Sequence, residues 1–235
     1  MKVMSACAAA GLMVALTGCG GDGRPGGDHW RAGDGGRTVV ITENGVRLRG
    51  VSGDRITVDG RVAARWSPGS STLDLRCPEN GAACDPMPVV SVPAGTAVTV
   101  TARNAGIEAS GLTGSLDLTT VNGDVVVAGP GDDGAPLRLA TQNGSVRVAS
   151  QRAASVEALT TNGDVVLGCA TAPARVTATT VNGSVRLTLP PAAPPYAVTA
   201  ATEHGRTSVT VPTSPSADRH LTLRTTNGDL TALSG

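Results

Sequence analysis

One short phrase keeps returning along this chain: Thr-x-Asn-Gly-Asp/Ser-Val-x-Val. It reads Thr119-Thr-Val-Asn122-Gly123-Asp124-Val-Val-Val127, then Thr141-Gln-Asn143-Gly144-Ser145-Val-Arg-Val148. It comes back as Thr160-Thr-Asn162-Gly163-Asp164-Val-Val-Leu167 and as Thr179-Thr-Val-Asn182-Gly183-Ser184-Val-Arg-Leu187. Degraded copies lie at Arg103-Asn104-Ala-Gly106, Thr202-Glu-His204-Gly205 and Thr225-Thr-Asn227-Gly228-Asp229-Leu230. From Asn104 to Asn227, with His204 filling one slot, the steps are 18, 21, 19, 20, 22 and 23 residues. Self-similarity at a period near twenty is the mark of stacked repeats that bury a continuous core between neighbours.

Apolar residues alternate on both sides of each Asn-Gly. Leu116 and Leu118 precede the first full copy and Val125 and Val127 follow it; Val176/Ala178 and Val185/Leu187 repeat the pattern. Period 2 means strands, and no stretch after the N-terminal apolar run has a 3.6-residue period. The fold class read from this is all-β, and two architectures fit. In a single-domain parallel β-helix (β-solenoid), each coil has about twenty residues and Asn-Gly makes the bend, both residues tolerating positive φ. In an antiparallel meander, closed as a barrel or sandwich, the same dipeptide is a hairpin turn. Three features favour the solenoid. Thr, Asn and Gly recur at fixed positions, as stacked ladders require. The chain has no Phe, one Tyr and two Trp, which suits a narrow core of small branched side chains. The position after Asn-Gly runs Asp124, Ser145, Asp164, Ser184, Arg206, Asp229, so no two carboxylates fall on successive copies. The bend residues are then Asn122, Gly123, Asn143, Gly144, Asn162, Gly163, Asn182, Gly183, Asn227 and Gly228, with Asn227-Gly228 in a terminal coil. Asn44 belongs to a related copy, and the sixty residues before Asn104 leave room for three irregular coils.

The N-terminus addresses the chain to the envelope. Lys2 precedes a short apolar run, Val3 to Leu16, which reads as a secretory signal rather than a membrane span. It ends in Leu16-Thr-Gly-Cys19, which resembles a bacterial lipobox and implies cleavage before Cys19 and lipidation of its thiol. The domain plan is a signal peptide at 1–18, a Gly-rich flexible tether at 19–37 and one β-repeat domain at 38–235. The expected location is the outer face of the cell membrane, held by the lipid. Beyond Lys2 the chain carries 18 Arg against 19 acids, with no basic stripe for nucleic acid.

Of five cysteines, Cys7 leaves with the signal and Cys19 takes lipid. Cys77 and Cys84 flank a turn-rich loop and read as a local disulfide in an exported protein, with a two-Cys metal site as the rival. Cys169 reads as a small buried hydrophobe.

Val92-Pro-Ala-Gly-Thr-Ala-Val-Thr-Val100, Gly111-Leu-Thr-Gly-Ser-Leu-Asp-Leu118, Pro194-Pro-Tyr-Ala-Val198 and the Asn-Gly copies resemble a bacterial β-strand-repeat family. That family is a domain of unknown function often described as a putative adhesin. The resemblance covers about 38–235 and implies a β-solenoid, exported or membrane-attached, with no established catalytic residues. His204 departs from its pattern.

No catalytic, cofactor or metal residues emerge from the sequence. Asp124 and Asp164 would lie two coils apart, about 10 Å, and turn aspartates more often bind backbone than act as glycosidase acids. His29, His204 and His220 are scattered without ligand spacing. The expected function is a lipid-anchored, non-catalytic surface binding or adhesin-like module, meeting an envelope glycan or protein. The alternatives are a structural envelope spacer and a polysaccharide-acting β-helix enzyme.

Overall fold

Alternating apolar residues generate strands throughout the computed structural model, which describes residues 29–31, 36–79 and 83–235. The first part of the chain forms β1 (His29–Arg31), β2 (Arg37–Thr42), β3 (Val46–Val51), β4 (Arg55–Asp59) and β5 (Ala63–Ser67). After a 3-10 turn at Pro68–Ser70 come β6 (Thr72–Arg76), β7 (Val89–Pro93), β8 (Ala97–Thr101) and β9 (Ile107–Ser110). The repeat region supplies β10 (Leu116–Thr119), β11 (Val125–Ala128), β12 (Gly131–Ala140), β13 (Val146–Leu159), β14 (Val165–Cys169), β15 (Arg175–Thr179) and β16 (Val185–Leu189). β17 (Ala197–His204), β18 (Thr207–Val209), β19 (His220–Asn227) and β20 (Leu230–Ser234) complete it.

The fold is all-β and solenoid-like: each coil gives one strand to each of two faces. The first face runs β5-β6-β2-β8-β10-β12-β13-β15-β19-β17. The second runs β1-β4-β7-β3-β9-β11-β13-β14-β16-β20-β18. The long β13 serves both faces and turns between them near Ser150, whose φ is +49°. Val125 lies beside Val146 in parallel register, so the Asn-Gly dipeptide joins strands of different faces and is not a hairpin turn.

The core is the set of inward columns. Val98, Leu116, Leu137, Val156, Val176 and Leu221 follow one another on the first face, and Ile107, Val125, Val146, Val165, Val185 and Leu230 on the second. All are buried. Each such side chain contributes about 1.5–3 kcal/mol by leaving water. Small branched residues fill this narrow interior; the aromatic residues sit at its ends. Trp30 and Trp66 stack at 6.4 Å beyond the β4–β7 end. Tyr196, fully buried, donates its hydroxyl to the Pro173 carbonyl at 2.8 Å near the other.

Two expectations need correction. The coil holding Asn44 packs directly on the coil holding Asn104 (β2 on β8, β3 on β9), with no irregular coils between. The chain from 55 to 93 instead folds over the outer side of β2 and β3. Likewise Asn227 is not terminal: β19 and β20 insert between β15/β16 and β17/β18. Within the segment expected as a tether, His29–Arg31 pairs antiparallel with β4, because Trp30 has an apolar partner to cover. Residues 1–18, Cys19 and most of 19–37 lie outside the described residues.

Candidate functional site

The edge where the two faces meet at Asn-Gly carries the most regular chemistry of the molecule. Its geometry starts with glycine. A Cβ on Gly163 would stand 2.1 Å from the Gly144 carbonyl oxygen, and one on Gly183 would stand 2.0 Å from that of Gly163. The φ values there, +155° and +156°, are ones that residues with a side chain rarely adopt. Successive coils therefore touch backbone to backbone at the bend.

That contact creates three ladders. Thr141, Thr160, Thr180 and Thr225 donate their hydroxyls at 2.8–2.9 Å to the carbonyls of Gly123, Gly144, Gly163 and Gly183. Thr202 does the same to Gly228. This is why a threonine stands two residues before every Asn-Gly: its hydroxyl reaches the carbonyl that the bend turns aside. The asparagines form the second ladder. Asn143 donates to Asn122 at 3.0 Å, and Asn162, Asn182 and Asn227 each donate to the preceding member at 2.8 Å. All these amides point the same way along the stack.

The third ladder explains the Asp/Ser alternation. Asp124 accepts from the backbone N–H of Ser145, and the Ser145 hydroxyl accepts from that of Asp164. Asp164 accepts from Ser184, the Ser184 hydroxyl from Asp229, and Asp229 from Arg206. The order in space is Asp, Ser, Asp, Ser, Asp, Arg, so the late coil insertion makes the alternation regular. The Ser145 N–H, then the Arg147 guanidinium, hold the Asp124 carboxyl below the usual carboxylate range. The Arg206 backbone and side chain do the same to Asp229. Asp124 and Asp164 are thus structural acceptors.

All ten bend residues from Asn122 to Gly228 fall in these columns. Asn44, at the far end, donates instead to both sulfurs of the Cys77–Cys84 disulfide at 3.1 and 3.3 Å. The disulfide has a Cα–Cα distance of 5.1 Å, as the loop spacing suggested. Cys169 is free and buried, and burial pushes its thiol up to about 12. Among the described residues, no group of His, Cys, Asp or Glu is placed to hold a metal, and no helix is long and apolar enough to cross a membrane.

The outer faces carry rows of side chains that run across the coils. On the first face Arg138 lies between Asp117 and Glu157, 3.9 and 2.9 Å away. These residues, with Arg37, line a surface depression of about 430 Å³. On the second face Arg47, Glu108, Val126, Arg147, Val166 and Arg186 form one row. Arg47 pairs with Glu108 at 2.7 Å, and Val166 is 37% exposed between two arginines.

No curated protein matches the chain. Among solved structures, a putative adhesin from Bacteroides fragilis NCTC 9343 is similar at 14% identity and a TM-score of 0.44. That likeness covers 89% of this chain and 96% of the other. A putative cell adhesion protein from Clostridium sporogenes ATCC 15579 is similar at 7% identity and a TM-score of 0.39, covering 90% and 100%. A family model matches residues 97–232, which include the Asn-Gly copies from Asn122 to Gly228: the chain belongs to the Toastrack DUF4097 family.

Proposed function

We propose that this protein is a lipid-anchored, non-catalytic binding module of the cell envelope, an adhesin-like parallel β-helix that presents its two outer faces to a glycan or protein. One observation carries this reading: the first outer face holds Thr99, Asp117, Arg138, Glu157, Thr177 and Thr222 in register, and the second alternates arginine with valine from Val126 to Arg186, both at the strand spacing of about 4.8 Å. A surface of that kind suits many weak contacts made together. The carboxylates at the bend are committed to the ladders, which supports a role without catalysis. Anchoring rests on Leu16-Thr-Gly-Cys19, and no nucleic acid is implied by the charge balance.

The test is a pull-down from envelope extracts with the purified protein and with an Arg147→Glu/Arg186→Glu variant. Retention by the wild type and loss by the variant supports the second face as the binding surface. No retention by the wild type removes the binding reading and leaves the spacer, which the saturated ladders of the bend favour; equal retention by the wild type, this variant and Arg138→Glu removes these two rows as the binding surface. Anchoring is tested separately: a fatty-acid probe should label the wild type and not Cys19→Ala.

A further inference from the structure

Asparagine is a thermolabile residue, and it is most fragile when glycine follows. With no Cβ on the glycine, its backbone nitrogen can reach the carbonyl carbon of the preceding side chain. Ring closure needs a glycine N–H that is free and an asparagine amide that can turn toward it. In the repeat region neighbouring coils deny both. The N–H groups of Gly123, Gly144, Gly163, Gly183 and Gly228 donate at 2.9–3.0 Å to the carbonyls of Asn143, Asn162, Asn182, Asn227 and His204. The side-chain amides are tied into their ladder.

Asn44-Gly45, at the bend between β2 and β3, is held by other means. The Gly45 N–H donates to the Pro86 carbonyl at 3.1 Å, and the Asn44 amide donates to the sulfurs of Cys77 and Cys84. Both restraints belong to the single connection between β6 and β7, which the Cys77–Cys84 bond closes. Cys77 is exposed and Asn44 half-buried, so a reductant can reach the bridge and water can reach the amide.

We propose that Asn44 is a deamidation site guarded by the Cys77–Cys84 disulfide, which makes reduction of the bridge a permanent change at this bend. A dithiol gives two electrons to the bridge, leaving two thiols here and a disulfide in the reductant. The connection then loosens, and both holds on Asn44-Gly45 fall together. The Gly45 nitrogen attacks Asn44 Cγ. The Cγ–Nδ2 bond breaks, and the side-chain nitrogen leaves as ammonia with the proton that Gly45 gives up. Water opens the resulting succinimide to an aspartate or an isoaspartate at position 44. Either product sets a carboxylate where an N–H donor faced sulfur, and the isoaspartate also lengthens the backbone, so reoxidation does not restore the original contact. Asn143, Asn162 and Asn182 are spared, because their restraints come from the stack. The site is independent of what the outer faces bind.

Peptide mapping by mass spectrometry tests it on the full chain, incubated at neutral pH with and without a dithiol. Trypsin releases Thr38–Arg47, in which Asn44 is the one asparagine, and Ala153–Arg175, in which Asn162 is. Deamidation of Asn44 should run at least ~10-fold faster in the reduced protein, as the open form of the connection gains population, with the rate at Asn162 unchanged. Equal rates at Asn44 in the two conditions overturn the proposal. So does a parallel rise at Asn162, which would mean that reduction opens the whole stack. A Cys77→Ser/Cys84→Ser variant kept free of reductant should deamidate Asn44 at the reduced rate, and the slow rate in that variant overturns the proposal as well.

Discussion

The coils at 197–209 and 220–234 are neighbours in sequence and in space, yet they are made of different residues. The later one carries Leu221, Leu223, Thr225, Asn227, Gly228 and Asp229; the earlier one carries Val198, Ala200, Thr202, His204, Gly205 and Arg206 at the paired positions or one step along. The later coil is flanked on both sides and keeps the Thr-x-Asn-Gly-Asp part of the phrase. The earlier coil has one neighbour, and it keeps only what faces inward along the stack: the Thr202 hydroxyl on Gly228, and the Arg206 N–H on Asp229. In this pair, fidelity to the repeat follows place in the stack rather than place in the chain. An inner coil must offer donors and acceptors on both sides; an end coil needs one.

The largest effect should come from glycine. Gly163→Ala puts a Cβ 2.1 Å from a backbone oxygen at a φ of +155°, so a loss of about 3 kcal/mol or more is expected in urea unfolding. Gly228→Ala, flanked in the same way, should match it. Gly205→Ala meets a similar clash at 1.9 Å, yet its coil is free to move outward, and a clearly smaller loss is expected. Equal losses at Gly163 and Gly205 would break the distinction between inner and end coils.

Next is the disulfide. Reduction of Cys77–Cys84 opens a loop of seven residues' separation, worth about 2.5 kcal/mol in the loop-entropy account. It also frees the sulfurs to which Asn44 donates. Unfolding of the reduced protein should begin in the first coils, read by exchange in 37–51. If instead protection falls first at 146–189, the bridge does not secure that end.

Threonine sharpens the comparison at smaller scale. Thr180→Val keeps shape but strands the Gly163 carbonyl, for about 1 kcal/mol. Thr202→Val removes the same bond in the end coil, where water can reach the carbonyl, and should cost less. The order of the two unfolding midpoints decides the point.

The smallest effect concerns acid. A carboxyl held below its unfolded value stabilises the fold above the unfolded pKa, and that contribution is lost as pH falls through the folded one. Asp124 and Asp229 are both of this kind. Stability should therefore decline below about pH 4, and Asp124→Asn should flatten the decline. An unchanged slope would mean that these ladder carboxylates do not couple to folding.

Much of this was legible before any fold was known. The Asn-Gly phrase placed the bends, period 2 placed the strands and their inward residues, and the Cys77/Cys84 spacing placed the disulfide. The ion pairs on the outer faces were not legible. Arg138 meets Glu157 and Asp117 only because three coils come into register, and nothing local to any of them names its partner.

Each coil is written in its own residues: where it bends, which side chains enter the core and which residues are fit to form ladders all follow from contacts within one repeat or from an identical position in the next. The order of the coils is set by long-range packing instead. Placing 37–51 inside 55–93, and 220–234 inside 197–209, is a choice among many similar coil-on-coil contacts. It is settled by which coil can satisfy two neighbours at once and which can serve as a cover, and that competition is between segments distant in the chain.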